Sequence, residues 1–207
     1  MRGAAQREGE AAVVRVLVAG VGYTNLRDMS VGPALAERLG AETWPEGVDV
    51  VDLGIGAIAA VHYMVWAQEN GAYERAVLFG AARRGRPPGS LTCYRWDGVL
   101  PGAEDVQAQV ADAVTGAISL AALLIVGRQL GALPADVVVV EVEPADESWG
   151  PGFSQEVAAC LDAAAAAIRR AARASGADLP VLGVQVPRAA RPRRAGERGG
   201  AGPALGR

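Results

Sequence analysis

The chain has 207 residues, of which 51% are hydrophobic and 21% charged, with a formal net charge of −3. That is enough apolar material for one sizeable α/β core, and the length favours a single domain with a tail. The mildly acidic balance gives no case for nucleic acid, and the use of Arg for all 20 basic residues reads as coding bias alongside the Ala and Gly excess.

Taken in chain order, Val13 to Ala19 is apolar and rich in β-branched residues, as a strand buried on both faces should be. A helix follows over about 31–39, with an apolar stripe from Ala34, Leu35, Ala36 and Leu39 and a stop at Gly40. Val48 to Leu53 is the second strand. Ile58 to Glu69 reads as a helix burying Ile58, Val61, Val65 and Trp66, ended by Asn70-Gly71. Ala76 to Phe79 is a third strand, and Leu91 to Trp96 alternates well enough for an additional strand at an edge. Asp105 to Gly131 reads as a long helix, interrupted or kinked near Gly116, Val137 to Val142 as the last strand, and the Ala-rich Phe153 to Ala174 as a helix by propensity. Such alternation predicts a three-layer αβα sandwich around a mainly parallel sheet.

The domain organisation that follows is a flexible N-terminus over 1–11, an α/β domain over 12–175, and an Arg/Ala/Gly/Pro-rich tail over 176–207. The tail holds six Arg against Asp178 and Glu197 and has little to bury beyond a short extended piece at Asp178 to Val186, so it is expected to be disordered. Cys93 and Cys160 stand 67 residues apart, which excludes a C-x-x-C redox pair or a zinc knuckle and fits a cytosolic setting. The first ten residues lack the apolar core of a signal peptide, and the longest apolar run, Ala117 to Val126, is about half of a bilayer span. A soluble, cytoplasmic protein without a membrane partner is expected.

Four blocks carry a pattern. Gly20, Gly22, Asp28 and Gly32 have the spacing G-x-G-x-x-x-x-x-D-x-x-x-G after the first strand, and Asp52-Leu53-Gly54 follows the second. Pro88-Gly89-Ser90-Leu91 through Tyr94 follows the third, and Val140-Glu141-Val142-Glu143-Pro144 ends the fifth. In this order the blocks resemble the hydrogenase maturation protease family, over about residues 12 to 175. The resemblance implies an endopeptidase that removes the C-terminal extension of a nickel-loaded [NiFe] hydrogenase large subunit. It also implies that the large subunit or its assembly factors are the partner, and that nickel is met only through the substrate, with no cofactor of the protein's own. The Rossmann alternative lacks its third glycine, because position 25 is Asn25.

Carried over position by position, the family's three metal-gripping side chains fall on Met29, Gly80 and Gly116. Carboxylate and imidazole suit nickel; a thioether prefers softer ions, and glycine offers nothing. The chain is therefore expected to be a catalytically degenerate relative, with Asp28 the retained carboxylate, acting either in catalysis or as an N-cap for the helix at Val31. Glu141 and Glu143 are candidate crevice carboxylates or satisfied strand ends. Arg83, Arg84 and Arg86 directly follow the third strand and would draw an anion or an acidic partner, or form an exposed basic loop. An anion or small-molecule binder reusing the crevice is the alternative function. His62, the sole histidine, reads as a core or interface residue rather than a displaced ligand, and Trp149 as packing or a loop-borne interface. In the Asp52-Leu53-Gly54-Ile55 loop, Leu53 and Ile55 replace family residues that contribute to substrate choice.

Overall fold

The computed structural model describes residues 13–174 and 176–184. Among these residues six strands form one sheet: β1 (Val16–Val21), β2 (Val48–Asp52), β3 (Arg75–Ala81), β4 (Leu91–Trp96), β5 (Asp136–Val142) and β6 (Val181–Leu182), in the order β2-β1-β3-β5-β4-β6. The pairings β1–β2, β1–β3, β3–β5 and β4–β6 are parallel and β4–β5 is antiparallel. Five α-helices cover the sheet: α1 (Val31–Gly40), α2 (Ala57–Glu69), α3 (Ala103–Val114), α4 (Leu120–Gln129) and α5 (Gln155–Arg173). None of these is long and apolar enough to cross a membrane.

Two cores result from the period-2 alternation of the strands. Leu17, Ala19, Leu78 and Val139 face α2 and α4, whereas Val18, Val77, Phe79, Val138 and Val140 face α1 and α5. Strands buried on both sides read as continuous apolar runs, which is how β1, β3 and β5 appear in the sequence. From β1 the chain goes first to β2 on one side and then to β3 on the other. The sheet therefore has a switch point between β1 and β3, and a crevice opens beyond their carboxyl ends. Close approach of α1 to β1 explains the glycine skeleton: a Cβ on Gly32 would lie 2.2 Å from the Val21 carbonyl oxygen.

Several expectations are corrected. The stripe that α2 buries is Ala57, Ala60, Val61, Met64 and Ala67, while Ile58 and Trp66 are 38% and 60% exposed. Small side chains let the helix lie close, so alanines win the inner face over the bulkier residues. Of the two readings for 105–131, the interruption holds and the kink does not: the segment is two helices, α3 and α4. Gly116 adopts φ +89° after α3, and Ser119 caps α4 by accepting the Ala122 N–H at 3.0 Å. The strand at Val137 to Val142 is followed by another, since Val181–Leu182 pairs with Arg95 and Trp96. The sheet hence continues past residue 175, with a 3-10 turn at Gly176–Asp178 before β6, and β4 is not the outermost strand. The 1–11 segment expected to be flexible and the tail beyond 184 lie outside the described residues.

Candidate functional site

At the carboxyl ends of the strands, the loop after β1 turns through a 3-10 element, Arg27–Ser30. Asp28 lies inside it with no exposed surface. Its Oδ2 accepts the Ala145 and Asp146 N–H groups and the Ser154 hydroxyl, each at 2.8 Å, and Oδ1 accepts the Ser154 N–H at 2.8 Å. Burial pushes the carboxyl upward, but these hydrogen bonds from Ser154, Asp146 and Ala145 outweigh it and hold Asp28 below the ordinary aspartate range. Asp28 does not cap α1, where Ser30 occupies the N-cap without a side-chain bond to the helix and instead accepts the Leu26 N–H at 3.2 Å. It instead ties the first loop to the loop and helix start that follow β5, and Ser154 in turn caps α5 through the Val157 N–H. Backbone bonds reinforce the tie: the Arg27 N–H donates to Gly150 O at 3.1 Å and the Gly150 N–H to Asn25 O at 2.9 Å. Asn25 and Arg27, the non-glycine residues with positive φ among the described residues, sit within this doubly held loop at 61° and 40°.

Glu141 and Glu143 lie at the end of β5, buried to 0% and 3% exposure. The Glu141 carboxylate receives Arg84 at 2.7 Å, Arg86 at 2.8 Å and the Tyr94 hydroxyl at 3.0 Å. Arg86 also donates to the Thr92 hydroxyl at 2.5 Å. Desolvation would raise the Glu141 carboxyl, yet Arg84, Arg86 and Tyr94 hold it below the usual glutamate range, and the same charge with burial pushes the Tyr94 phenol up. Glu143 accepts the backbone N–H groups of Arg84 and Gly85. The predicted basic loop is thus folded inward for two of its three members. Only Arg83, 61% exposed on its side chain, points outward, and it pairs with Glu147 at 2.7 Å. Arg84 and Arg86 face a carboxylate of their own chain, which corrects the picture of three guanidinium groups open to an anion.

The three positions carried over for metal ligands converge only in part. Met29 is half-buried in the first turn, and β3, which bears Gly80, packs against that turn. The Tyr23 hydroxyl accepts the Ile118 N–H at 2.7 Å and draws the Gly116 turn toward the same loop. Gly80, however, sits so close to β1 that a Cβ would lie 2.2 Å from Val21 O. His62 is exposed, not buried, and shares a shallow depression with Ile55, Ile58, Val114 and Gly116. Among the described residues no three His, Cys, Asp or Glu side chains come together as a metal group. One thioether and two glycines do not fit a nickel ion presented by a substrate. Gly80→Asp is accordingly expected to lower stability by about 2 kcal/mol or more through overpacking. Calorimetric titration of that variant with Ni²⁺ is expected to give no stoichiometric site; a folded, tightly binding variant would refute this.

One feature left no mark in the sequence. A cleft of about 570 Å³ runs along the outer side of α1, between the first loop and Pro151 to Phe153, with Glu37 and Asp52 on its walls. Ser154 was equally silent, since a lone serine before an Ala-rich helix signals only a cap.

No protein-family model and no curated protein matches the chain. Solved structures do. The chain is similar to the hydrogenase 2 maturation peptidase of a Thaumarchaeota archaeon, at 25% identity and TM-score 0.52 over 76% of this chain and 97% of that one. It is also similar in fold to the hydrogenase maturating endopeptidase HybD of E. coli, at 23% identity and TM-score 0.58 over 79% and 94%. A third likeness is to the [NiFe] hydrogenase maturation protease HycI of Thermococcus kodakarensis, at 16% identity and TM-score 0.58 over 78% and 94%.

Proposed function

We propose that this chain, which resembles the [NiFe] hydrogenase maturation protease family in fold and motif order, is a non-cleaving relative that binds a hydrogenase large subunit or its assembly factors in the cytoplasm. The observation that carries the reading is the set Met29, Gly80 and Gly116 at the positions where that family grips nickel. Gly80 weighs most, because the neighbouring strand leaves no room for any side chain there. The buried Arg84–Glu141–Arg86 cluster adds support: it sets two guanidinium groups on the one carboxylate at the end of β5, a net positive group, rather than leaving a carboxylate open to a cation. Asp28, saturated by four donors, then acts by positioning the two loops rather than on a substrate.

Deleting the gene and weighing the hydrogenase large subunit by mass spectrometry tests this. The subunit is expected to lose its C-terminal extension as before, and the protein to co-purify with it whether or not the extension is present. A large subunit that keeps its extension in the deletion strain, restored by the intact gene alone, would assign cleavage to this chain.

A further inference from the structure

Strand β4 is covered on its outer side only at its end. The Arg95 N–H donates to Pro180 O and the Asp97 N–H to Leu182 O, so the odd-numbered backbone groups of β4 are the ones that point away from β5. By the same alternation the N–H and C=O groups of Leu91 and Cys93 point outward, and β6 reaches neither residue. No backbone among the described residues pairs with them there. Beside this open stretch lies a groove of about 220 Å³ between β4, α5 and the segment that leads into β6. Cys93, Ala167, Ala171 and Leu179 line it, together with Arg170 and Asp178, which carry opposite charges. The alanines of α5 leave space that larger side chains would fill. The stretch is closed at one end by Gly89, where a Cβ would lie 2.5 Å from Glu156 O, and at the other by Pro180. Leu91 to Tyr94 remain open, about 13 Å at the rise of a strand.

We infer that this edge and groove form a strand-addition site, which takes an extended, uncharged segment of another protein as a further strand beside β4. Main-chain hydrogen bonds to Leu91 and Cys93 supply an attraction that an extended backbone answers, and the groove selects among the side chains that fall on the α5 face. Its apolar lining takes a side chain of valine size. Arg170 and Asp178 offset each other, which leaves no preference for an anion or a cation. A second copy is the poorer fit: it would bring its own β6 and α5 to the same edge, and about 13 Å between Gly89 and Pro180 does not admit a folded sheet. A single extended segment passes. Because β5 separates β4 from the crevice between β1 and β3, the site adds a contact surface to the non-cleaving reading without depending on it.

The test is an NMR titration of the full chain with the peptide acetyl-Thr-Val-Ser-Val-Thr-amide, read at the backbone amides of Leu91 and Cys93. Both are expected to exchange rapidly with solvent in the free protein, and to shift and gain at least about tenfold protection with the peptide in excess. Two N-methylated analogues separate strand addition from simple apolar contact, one methylated on both valines and the other on the serine. In an added strand only alternate N–H groups face β4, so one analogue should bind and the other lose at least about tenfold in affinity. With valine in the groove, failure of the valine analogue reports antiparallel addition and failure of the serine analogue parallel addition. Cys93→Pro removes one outward donor while Thr92 and Tyr94 keep the ladder to β5, and it should weaken binding about tenfold. Equal behaviour of the two analogues, no shift at Leu91 and Cys93, or undiminished binding by Cys93→Pro overturns the inference. Protection of these amides without peptide overturns it too: unchanged with concentration, it would place residues beyond 184 on the edge, and rising with concentration, a second copy. None of these measurements involves the large subunit, so either experiment can fail alone.

Discussion

Asp28→Ala is expected to lower the free energy of unfolding by about 3–5 kcal/mol, because it leaves four donors without an acceptor in a dry loop. Asp28→Asn is expected to recover only part of this, since an amide offers one acceptor oxygen and turns its NH₂ group toward the N–H groups it should receive. Urea denaturation followed by circular dichroism measures both. The pH dependence follows from the direction of the shift. A carboxyl held below its ordinary value of 3.8 contributes stability that is fully present above that value. The contribution is lost as the pH falls through the lower folded-state value, so the wild-type protein should lose stability on acidification below about pH 4 more steeply than Asp28→Asn. Equal slopes would show that the carboxylate is not what the loops depend on.

The second large effect belongs to Glu141. Removing it by Glu141→Leu takes away the carboxylate that Arg84 and Arg86 share and sets an apolar side chain against their guanidinium groups, which are 7% and 22% exposed. A buried charge without its partner costs about 3–5 kcal/mol. The combined change Arg84→Leu/Arg86→Leu/Glu141→Leu should restore most of that loss, since a whole ion cluster exchanged for apolar groups is often neutral. The diagnostic is non-additivity: the triple variant should unfold at higher urea than Glu141→Leu alone. If the triple variant is the weaker, the cluster contributes more through its hydrogen bonds to Tyr94 and Thr92 than through its charges.

These two residues also mark how far the sequence can be read. β1, β3, β5 and the glycine frame around Gly20 and Gly32 were legible, because burial on both faces and close helix approach leave local signatures of composition and spacing. The carboxylates were visible too, but their partners were not. Asp28 meets Ser154 across 126 positions and Glu141 meets Arg84 across 57, and no local pattern encodes such pairings. The inner face of α2 was misread for a different reason. Periodicity identifies a helix, but Ile58 and Trp66 advertise hydrophobicity more loudly than Ala57, Ala60 and Ala67, whose smallness is what permits contact. Gly116 marked a disturbance in the 105–131 segment correctly, yet a chain break and a kink share one local sign until Ser119 is seen capping a new helix. Gly80 could be aligned but not understood, since the constraint on it comes from Val21 on a neighbouring strand.

The two-residue strand β6 has a consequence for the behaviour of the protein at high concentration. It pairs only with Arg95 and Trp96 of β4, through the Arg95 N–H to Pro180 O at 2.9 Å and the Asp97 N–H to Leu182 O at 3.1 Å. One end of the sheet's outer rim is thereby covered by a strand too short, and too near a proline, to serve as a template for another molecule. Chain shortened before Pro180 would free the Arg95 and Asp97 N–H groups and add the Arg95–Trp96 end of β4 to the stretch, Leu91–Tyr94, that β6 does not pair. A segment that contributes little to the core thus shortens the edge along which separate copies of the sheet could pair.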